Sequence, residues 1–194
     1  MCAEGRRPIC QDTGIVTVFL EIGMDVRWPD ATMGVEDMAN AGVRRAYLHP
    51  DNLLRASVLA DPAGKRTNTR DNTPAVVNMR VVPGNTLDVI VAAKGGGSEA
   101  KSKFAMLNPS DSIVDWVLQT VPTMGAGWCP PGMLGIGIGG TAEKAMLLAK
   151  EALMEPIDIV ELKARGPSSR AEKLRLELFD KSTRSASARR AWAA

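Results

Sequence analysis

Two different periods of apolar residues predict the first elements of the chain. Residues 15–22 (IVTVFLEI) form a mostly apolar, β-branched run with the length of a strand. Residues 34–48 instead repeat apolar positions at helical spacing, and Pro50 follows where such a helix is expected to end. The pattern therefore predicts a strand followed by an amphipathic helix.

Turn-forming residues separate two shorter apolar runs further along. Residues 76–82 and 87–92 each predict a strand, and residues 83–85 (PGN) between them are typical of a hairpin turn. The polar residues 61–75 precede them as the longest irregular stretch, and residues 94–98 (KGGGS) follow as a loop that exposes its backbone. We therefore expect the two strands to form a hairpin.

The second half of the chain alternates helices with one strand. A helix is predicted over residues 111–120, with Ser110 as its cap, and another over residues 168–180. Between them, residues 133–138 predict a strand and Thr141 begins a helix. Because no repeat or linker divides this mixture, the sequence predicts a single α/β domain with a mixed sheet and flanking helices.

Composition narrows the classes of function. The 194 residues carry 24 basic and 22 acidic side chains, and only 4% are aromatic, which argues against a nucleic-acid binder. No apolar run approaches the ~20 residues of a membrane span, and the N-terminus lacks the apolar core of a signal peptide. The odd number of cysteines, 3, favours a reducing compartment. We expect a cytoplasmic protein without nucleic-acid or membrane partners.

The glycines of residues 135–140 (GIGIGG) fit the pattern of a dinucleotide-binding loop, and Asp158 lies near the expected distance downstream. In a dinucleotide site the glycines belong to the turn that follows a strand. Here they lie within the apolar run itself. We therefore expect no nucleotide at this position.

Two cysteines lie in loops that suit a ligand better than a core. Cys10 lies in the sequence RPICQDTG and Cys129 in GWCPPG, where proline and glycine fix a loop and leave the sulfur free to point outward. The alternative for each is a small buried hydrophobic residue. Cys2 lacks such surroundings, and His49 is the single histidine and lies in a polar loop. We expect no chemical role for these last two.

Three motifs of the chain resemble those of the class I fumarate hydratases, iron–sulfur hydro-lyases whose relatives include the L-tartrate dehydratases. The motifs are residues 9–14 (ICQDTG), residues 94–99 (KGGGSE), and residues 129–131 (CPP) with 139–141 (GGT). They occur in the family's order, and the two cysteines have the family's spacing. The resemblance extends from about Arg7 to Lys181 and is specific for the superfamily more than for a substrate.

The resemblance implies a cofactor, a 4Fe–4S cluster that three cysteines hold and whose fourth iron is open to the substrate. Cys10 and Cys129 match two of its ligands and are the predicted metal-binding residues. The third cluster cysteine has no counterpart here, since Cys2 precedes Cys10 instead of lying far downstream. The implied reaction is the reversible hydration of fumarate to (S)-malate, with the open iron as Lewis acid.

Four further residues match the family's substrate site. Gln11 and Asp12 match a pair that contacts the substrate and takes part in proton transfer, so they are the predicted catalytic residues. Arg55 matches an arginine for a substrate carboxylate, and Gly97 matches a glycine whose backbone approaches the substrate. Without the resemblance, Asp12 could cap the turn at Thr13, and Arg55 could be a solvated helix residue.

Members of this family are more than twice as long as the chain. The resemblance therefore implies a fragment: residues 1–180 would be part of the catalytic domain, incomplete at both ends and inactive alone, from a homodimeric enzyme. One alternative is the alpha subunit of a two-subunit L-tartrate dehydratase or of a split fumarase. An alternative of another class is a folded remnant without catalysis. In either enzyme the substrate is a small dicarboxylate.

Residues 181–194 (KSTRSASARRAWAA) carry basic side chains and no acidic one. Family members continue at this point with a run like VNALGIGAQGLGG. Codons chosen to encode this tail spell that run when they are read from the last base of the Lys181 codon. We therefore expect a frameshifted, disordered tail whose charge has no function.

Overall fold

The computed structural model describes residues 2–5, 13–125, 127 and 132–184. Contacts divide the chain into two compact units, Met1–Glu99 and Ala100–Ala194, and each has a hydrophobic cluster of its own. Strands and helices are both present, so the predicted mixed α/β class is confirmed, whereas the division into units is not apparent from the sequence. Among the described residues, no helix is both long enough and apolar enough to cross a membrane.

The first unit is organised around its first strand. Its elements in chain order are α1 (Cys2–Gly5), β1 (Ile15–Gly23), α2 (Val35–Tyr47), β2 (Leu59–Ala60), β3 (Thr67–Asn68), β4 (Val76–Val82), β5 (Leu87–Lys94) and α3 (Gly96–Glu99). β1 is the middle strand of a three-stranded mixed sheet, parallel to β4 and antiparallel to β5. The short strands β2 and β3 pair with each other. The first predicted strand is therefore confirmed.

The predicted hairpin between residues 76–82 and 87–92 is wrong, because β1 separates the two strands. The chain leaves β4, crosses over the end of β1 and returns as β5 on the other side. The N–H of Gly23, the last residue of β1, donates to the carbonyl of Thr86 at 2.8 Å. A Cβ on Gly23 would lie 2.3 Å from the carbonyl oxygen of Gly84, so the connection rests directly on the strand.

The helix α2 packs on one face of β1 and confirms the second predicted element. Because side chains alternate along a strand, Val16, Val18 and Leu20 point to the same face. They pack with Val43 of α2 and with Ala75 into the main hydrophobic cluster of the first unit, and all are buried. The predicted helix is thus confirmed, and its contact with the sheet is made by Val43, with Val35 and Tyr47 packed against the same cluster.

The second unit has four helices and a 3-10 turn among its described residues. They are α4 (Ile113–Thr120), a 3-10 turn (Val121–Met124), α5 (Ala142–Ala152), α6 (Ile159–Arg165) and α7 (Arg170–Arg184). Val117 and Val121 are buried in its cluster. The hydroxyl of Ser112 caps α4 by accepting a hydrogen bond from the N–H of Asp115 at 3.2 Å. The predicted cap at Ser110 is wrong, because the chain there still belongs to a turn.

Two other predicted helices are confirmed. Thr141 is the residue that precedes α5, and α7 corresponds to the helix predicted over residues 168–180. α7 continues to Arg184, so residues 181–184 of the predicted tail are helical. Residues 185–194 lie outside the described part of the chain, and the domain boundary and the disordered tail remain predictions.

The strand predicted over residues 133–138 is wrong, since these residues form no strand. A Cβ on Gly135 would lie 2.0 Å from the carbonyl oxygen of Ala149, and a Cβ on Gly137 would lie 1.9 Å from that of Ala145. Both carbonyls belong to α5, so the segment and the helix are in backbone contact. The alternating glycines therefore permit close packing, whereas a dinucleotide loop presents its backbone to a ligand.

Substitution by alanine should have opposite effects on stability at Gly137, which packs against α5, and at Gly42, which has open space around it. Gly137→Ala forces the segment away from α5 and should lower the free energy of unfolding by roughly 1–3 kcal/mol. Gly42→Ala, within α2 where a Cβ meets nothing within 4 Å, is the matched control. It should raise the free energy of unfolding by about 0.5–1 kcal/mol through helix propensity. Urea denaturation measures both; equal stabilities would contradict the packing argument.

Candidate functional site

Most of the predicted site residues lie outside the described part of the chain: Cys10, Gln11, Asp12 and Cys129. The structure does show where the chain continues from Asp12, at two residues that we call the Thr13–Gly14 junction. The other two predicted residues, Arg55 and Gly97, are described, and both lie in segments that contact this junction.

Gly14 lies against the start of the glycine-rich loop. Its φ is +72°, in the left-handed region, and an added Cβ would lie 2.2 Å from the carbonyl carbon and oxygen of Lys94. The same Cβ would lie 2.6 Å from the nitrogen of Gly95. Only glycine combines this φ with so close an approach. The chain that leaves Asp12 is thereby held beside the turn that leads to Gly97.

The loop that contains Gly97 forms one turn of helix, α3, where the sequence predicts an irregular loop. The N–H of Glu99 donates to the carbonyl of Gly95 at 2.9 Å. The ammonium group of Lys94 lies 3.0 Å from the carboxylate of Glu99 and closes the turn from the side. Gly97 itself is exposed, so a ligand can approach its backbone.

Arg55 is attached to the junction through its main chain. The hydroxyl of Thr13 donates to the carbonyl of Arg55, and Thr13 is buried. The side chain of Arg55 is exposed and lies in an irregular segment, not in the helix of the alternative interpretation. A guanidinium group can hold a carboxylate through two parallel hydrogen bonds. The structure thus places the main chain of Arg55 beside Thr13, and the binding of a carboxylate by its side chain stays a prediction.

A single buried amide joins these segments. The side chain of Asn72 is 0% exposed, and its Oδ1 accepts hydrogen bonds from the N–H groups of Ser57 at 2.8 Å and Val58 at 3.2 Å. Its Nδ2 donates to the carbonyl of Gly14 at 3.1 Å. The hydroxyl of Ser57 donates to the same carbonyl, also at 3.1 Å. The amide therefore satisfies polar groups of both the junction and the segment that follows Arg55.

Tyr47 closes the junction from the end of α2. Its hydroxyl donates to the carbonyl of Thr13 at 3.4 Å. Burial raises the pKa of Tyr47 above its ordinary value of 10.0, and a hydrogen bond with Asn72 opposes this shift. The phenol therefore keeps its proton at neutral pH and remains a hydrogen-bond donor.

Asp71 anchors the turn that precedes Asn72. The carboxylate of Asp71 accepts two hydrogen bonds from Thr73, one from its N–H at 3.0 Å and one from its hydroxyl at 2.8 Å. It accepts a third from Nε of Arg44 at 2.9 Å. Burial raises the pKa of Asp71, but these hydrogen bonds and the charge of Arg44 outweigh it and lower the pKa from 3.8 to about 2. The carboxylate is therefore charged at neutral pH and ties the turn to α2.

Whether the chain suits the predicted 4Fe–4S cluster depends on the side chains that would bind its irons. Iron–sulfur clusters take cysteine thiolates, which Cys10 and Cys129 can supply. Within the described ranges, no group of three or more His, Cys, Asp or Glu side chains could hold a metal ion. The donor type thus suits an iron–sulfur cluster, and the described residues offer no competing metal site.

A shallow cavity of about 430 Å³ lies at the C-terminal end of α2. Its lining includes Arg45, His49 and Asp51, and none of these is a predicted site residue. Nδ1 of His49 accepts a hydrogen bond from the N–H of Asp51 at 3.2 Å, which stabilises the local turn. The cavity therefore adds no group to the candidate site.

Sequence reasoning missed Ser57 and Asn72, which hold the junction. Neither belongs to a motif, since each acts on main-chain groups that are distant in sequence. The sequence held one weak signal, an asparagine just before Thr73-Pro74 in a polar segment, which is typical of a turn. In the structure Asn72 has φ +59°, a conformation that asparagine tolerates better than most residues. Such a pattern indicates a fixed turn but not what the turn holds.

Comparison with known proteins adds a family to this geometry. Residues 1–186 match the family model described as fumarate hydratase (Fumerase). A protein named "Putative L(+)-tartrate dehydratase subunit alpha" from Methanocaldococcus jannaschii is 36% identical over 160 residues, which cover 79% of this chain and 55% of that protein. Proteins named "L(+)-tartrate dehydratase subunit alpha" from Escherichia coli O157:H7 and strain K12 are 28% identical, over 89% of this chain and 55% of theirs. The chain spans about half the length of these relatives.

The lowered pKa of Asp71 predicts a loss of stability in acid. Because the folded pKa of about 2 lies below the unfolded value of 3.8, the carboxylate stabilises the fold above pH 4, and this contribution is lost as the pH falls from 4 towards 2. Asp71→Asn should remove on the order of 1 kcal/mol of this pH-dependent stability, a figure reduced for solvent screening.

The measurement is urea denaturation followed by circular dichroism at pH 5 and pH 2.5. Asp25→Asn, which changes an exposed carboxylate, is the control. If wild type and Asp71→Asn lose the same stability between the two pH values, the ion pair with Arg44 does not act as described.

Proposed function

The chain belongs to the fumarate hydratase family, and from this premise we propose that it forms part of a hydro-lyase, an enzyme that adds water to a double bond or removes it. The first candidate reaction is the reversible hydration of fumarate to (S)-malate. In the direction of dehydration, the C–O bond to the hydroxyl and a C–H bond on the neighbouring carbon break. Water leaves and a carbon–carbon double bond forms.

The observation that carries the proposal is the convergence of segments at the Thr13–Gly14 junction. The carbonyl of Arg55 accepts a hydrogen bond from Thr13, and the start of the loop that contains Gly97 touches Gly14. The junction also follows Asp12 directly. Dehydration of a dicarboxylate needs a carboxylate-binding group and a proton acceptor in fixed relative positions. The convergence supports this combination.

Each predicted residue has a distinct proposed role. Arg55 holds one substrate carboxylate, and Gly97 allows the substrate to approach the backbone. Asp12 accepts the proton from the carbon next to the hydroxyl-bearing carbon and returns it during hydration. Gln11 positions the substrate through hydrogen bonds, because a neutral amide cannot serve as a base at neutral pH.

The proposed cofactor is a 4Fe–4S cluster. Cys10 and Cys129 would be two of its ligands, and a third thiolate would come from outside these 194 residues. When bound, the cluster supplies an open iron that acts as a Lewis acid towards the departing hydroxyl. The protein's own contribution is to hold the substrate by its carboxylate and to move the proton.

The dehydration of L(+)-tartrate is a second candidate, and the names of the relatives favour it. Tartrate has one hydroxyl more than malate, so loss of water gives the enol of oxaloacetate instead of fumarate. Arg55 and Asp12 could serve both reactions, because both substrates are four-carbon dicarboxylates that lose a hydroxyl and a neighbouring proton. For this candidate the partner is a separate second subunit, since the relatives are named as subunit alpha. For fumarate hydration we propose a homodimer, and a cytoplasmic location for either.

An activity assay tests the proposal and separates the two candidates. The gene is expressed with one base restored at the Lys181 codon, so that the family run is read in frame, and together with a second subunit for the tartrate assay; the protein is purified without oxygen. Malate and L(+)-tartrate are then offered separately, and fumarate or oxaloacetate is measured. We expect turnover of one substrate and its loss in Cys10→Ser. Turnover of neither would contradict the proposal and favour the folded remnant.

The role of Arg55 predicts a specific kinetic defect. Arg55→Ala removes a charged hydrogen-bonding partner of the substrate carboxylate, and KM should rise roughly ten- to hundredfold. Arg45→Ala, which removes an exposed arginine of α2, is the matched control and should leave KM unchanged. An unchanged KM in Arg55→Ala would remove Arg55 from the substrate site.

The number of thiolates predicts the behaviour of the 194-residue chain by itself. Reconstituted without oxygen from iron and sulfide, it should hold no stoichiometric 4Fe–4S cluster, because two matching cysteines leave two irons without protein ligands. Iron analysis and the visible absorption spectrum measure this. A stoichiometric cluster that is lost in Cys10→Ser but kept in Cys2→Ser would show that the site is complete without a further thiolate.

A further inference from the structure

We infer that Asn72 is a positioning residue of the site: its buried amide fixes the Thr13–Gly14 junction against the segment of Arg55. The inference rests on the proposed function, which assigns Arg55 to the substrate carboxylate and Asp12 to the proton. Asn72 itself touches neither reacting group. It fixes the Thr13–Gly14 junction, which follows Asp12 in the chain, against Ser57 and Val58, which follow Arg55.

The hydrogen bonds of Asn72 connect parts of the chain that are far apart in sequence. Nδ2 reaches back 58 residues to the carbonyl of Gly14, and Oδ1 reaches back 15 residues to the N–H of Ser57. Because the side chain is fully buried, a lost hydrogen bond is not replaced by bulk water. The amide therefore acts as a rigid link between the junction and the Arg55 segment.

Both ends of the amide are needed, which explains why an asparagine stands at this position. The oxygen accepts from two backbone N–H groups, and the nitrogen donates to a carbonyl. An aspartate has the same shape but, when charged, has no donor and would face the carbonyl oxygen of Gly14. A glycine would tolerate the φ of +59° but would provide neither group.

The surroundings of Asn72 make an aspartate variant sensitive to pH. The groups around it are Asp71, which is paired with Arg44, the phenol of Tyr47, and the hydroxyl of Ser57, which shares the carbonyl of Gly14 with it. Burial, the negative charge of Asp71 and the facing carbonyl oxygen of Gly14 all raise the pKa of the introduced carboxyl, and the two N–H groups of Ser57 and Val58 oppose this shift. Protonated, it again offers a donor and an acceptor; ionised, it repels the carbonyl of Gly14.

The first experiment measures KM and kcat of Asn72→Asp relative to wild type from pH 5.5 to pH 8.5. The ratio of KM values should reach about tenfold at the alkaline end, the cost of a buried mismatched polar pair, and fall towards one in acid. Asn68→Asp is the matched control, since the exposed amide of Asn68 donates to the carbonyl of Ala56 at 2.9 Å. Its KM ratio should stay near one throughout.

A purely structural role would lower the melting temperature and leave KM equal to that of wild type at every pH. That result in an enzyme that turns over its substrate would overturn the inference. The pH dependence is the decisive readout, because a general loss of stability does not restore KM on protonation of one side chain.

A second experiment needs no activity, so it separates this inference from the proposed function. Hydrogen exchange is measured on the chain for the peptide that contains Ser57 and Val58. Asn72→Gly should speed their exchange at least tenfold, because both N–H groups lose their acceptor, whereas Asn68→Gly should not. If the wild type turns over no dicarboxylate, the proposed function fails and this exchange decides whether Asn72 fixes the segment. Unchanged exchange overturns the inference in either case.

Discussion

No side chain can be accommodated at Gly14, and both the sheet and the site depend on this. β1 begins at the next residue, and its pairing with β5 extends to Lys94 because the two backbones touch at the junction. The same contact brings the turn that leads to Gly97 beside the chain that leaves Asp12. A shift of β1 by one residue would move its buried side chains to the opposite face. The contact at Gly14 therefore fixes both the register of β1 against β5 and the position of the Thr13–Gly14 junction beside the glycine-rich turn.

The elements that the sequence predicts best are those whose signal lies within their own residues. The existence of β1 and α2 follows from apolar spacing alone, although the buried residue of α2 is Val43, whereas Gly42 and Ala46 at the predicted positions are exposed. The hairpin prediction was wrong because turn residues indicate that the chain reverses between β4 and β5, but not that these two strands are neighbours in the sheet. The continuous apolar run of residues 15–22 contained the missing information, because a strand with both faces buried is typically a central one.

The candidate site likewise contains residues that a local motif identifies and residues that only the tertiary fold reveals. Motifs select Arg55 and Gly97 for their chemistry, and the structure describes where both lie, whereas their roles towards a substrate stay predictions. Asn72 and Ser57 could not be predicted, because their partners are main-chain groups brought close only by the tertiary fold. The glycines at 135 and 137 show the converse case, in which a familiar spacing has a packing cause. Cys10, Gln11, Asp12 and Cys129 remain predictions from motif alone.

The central position of β1 also affects how the chain folds during synthesis. β1 is synthesised before both of its partners, and its partner in β4 follows much later, as Glu21 and Arg80 are 59 residues apart. Closing so long a loop costs entropy before any pairing is gained, and sheets with distant partners fold slowly. Until residue 94 has left the ribosome, β1 lacks its partner strand β5, and one of its backbone edges is unpaired. A chain that pauses at this stage exposes apolar surface and unpaired strand edges, the features that make folding intermediates prone to aggregate.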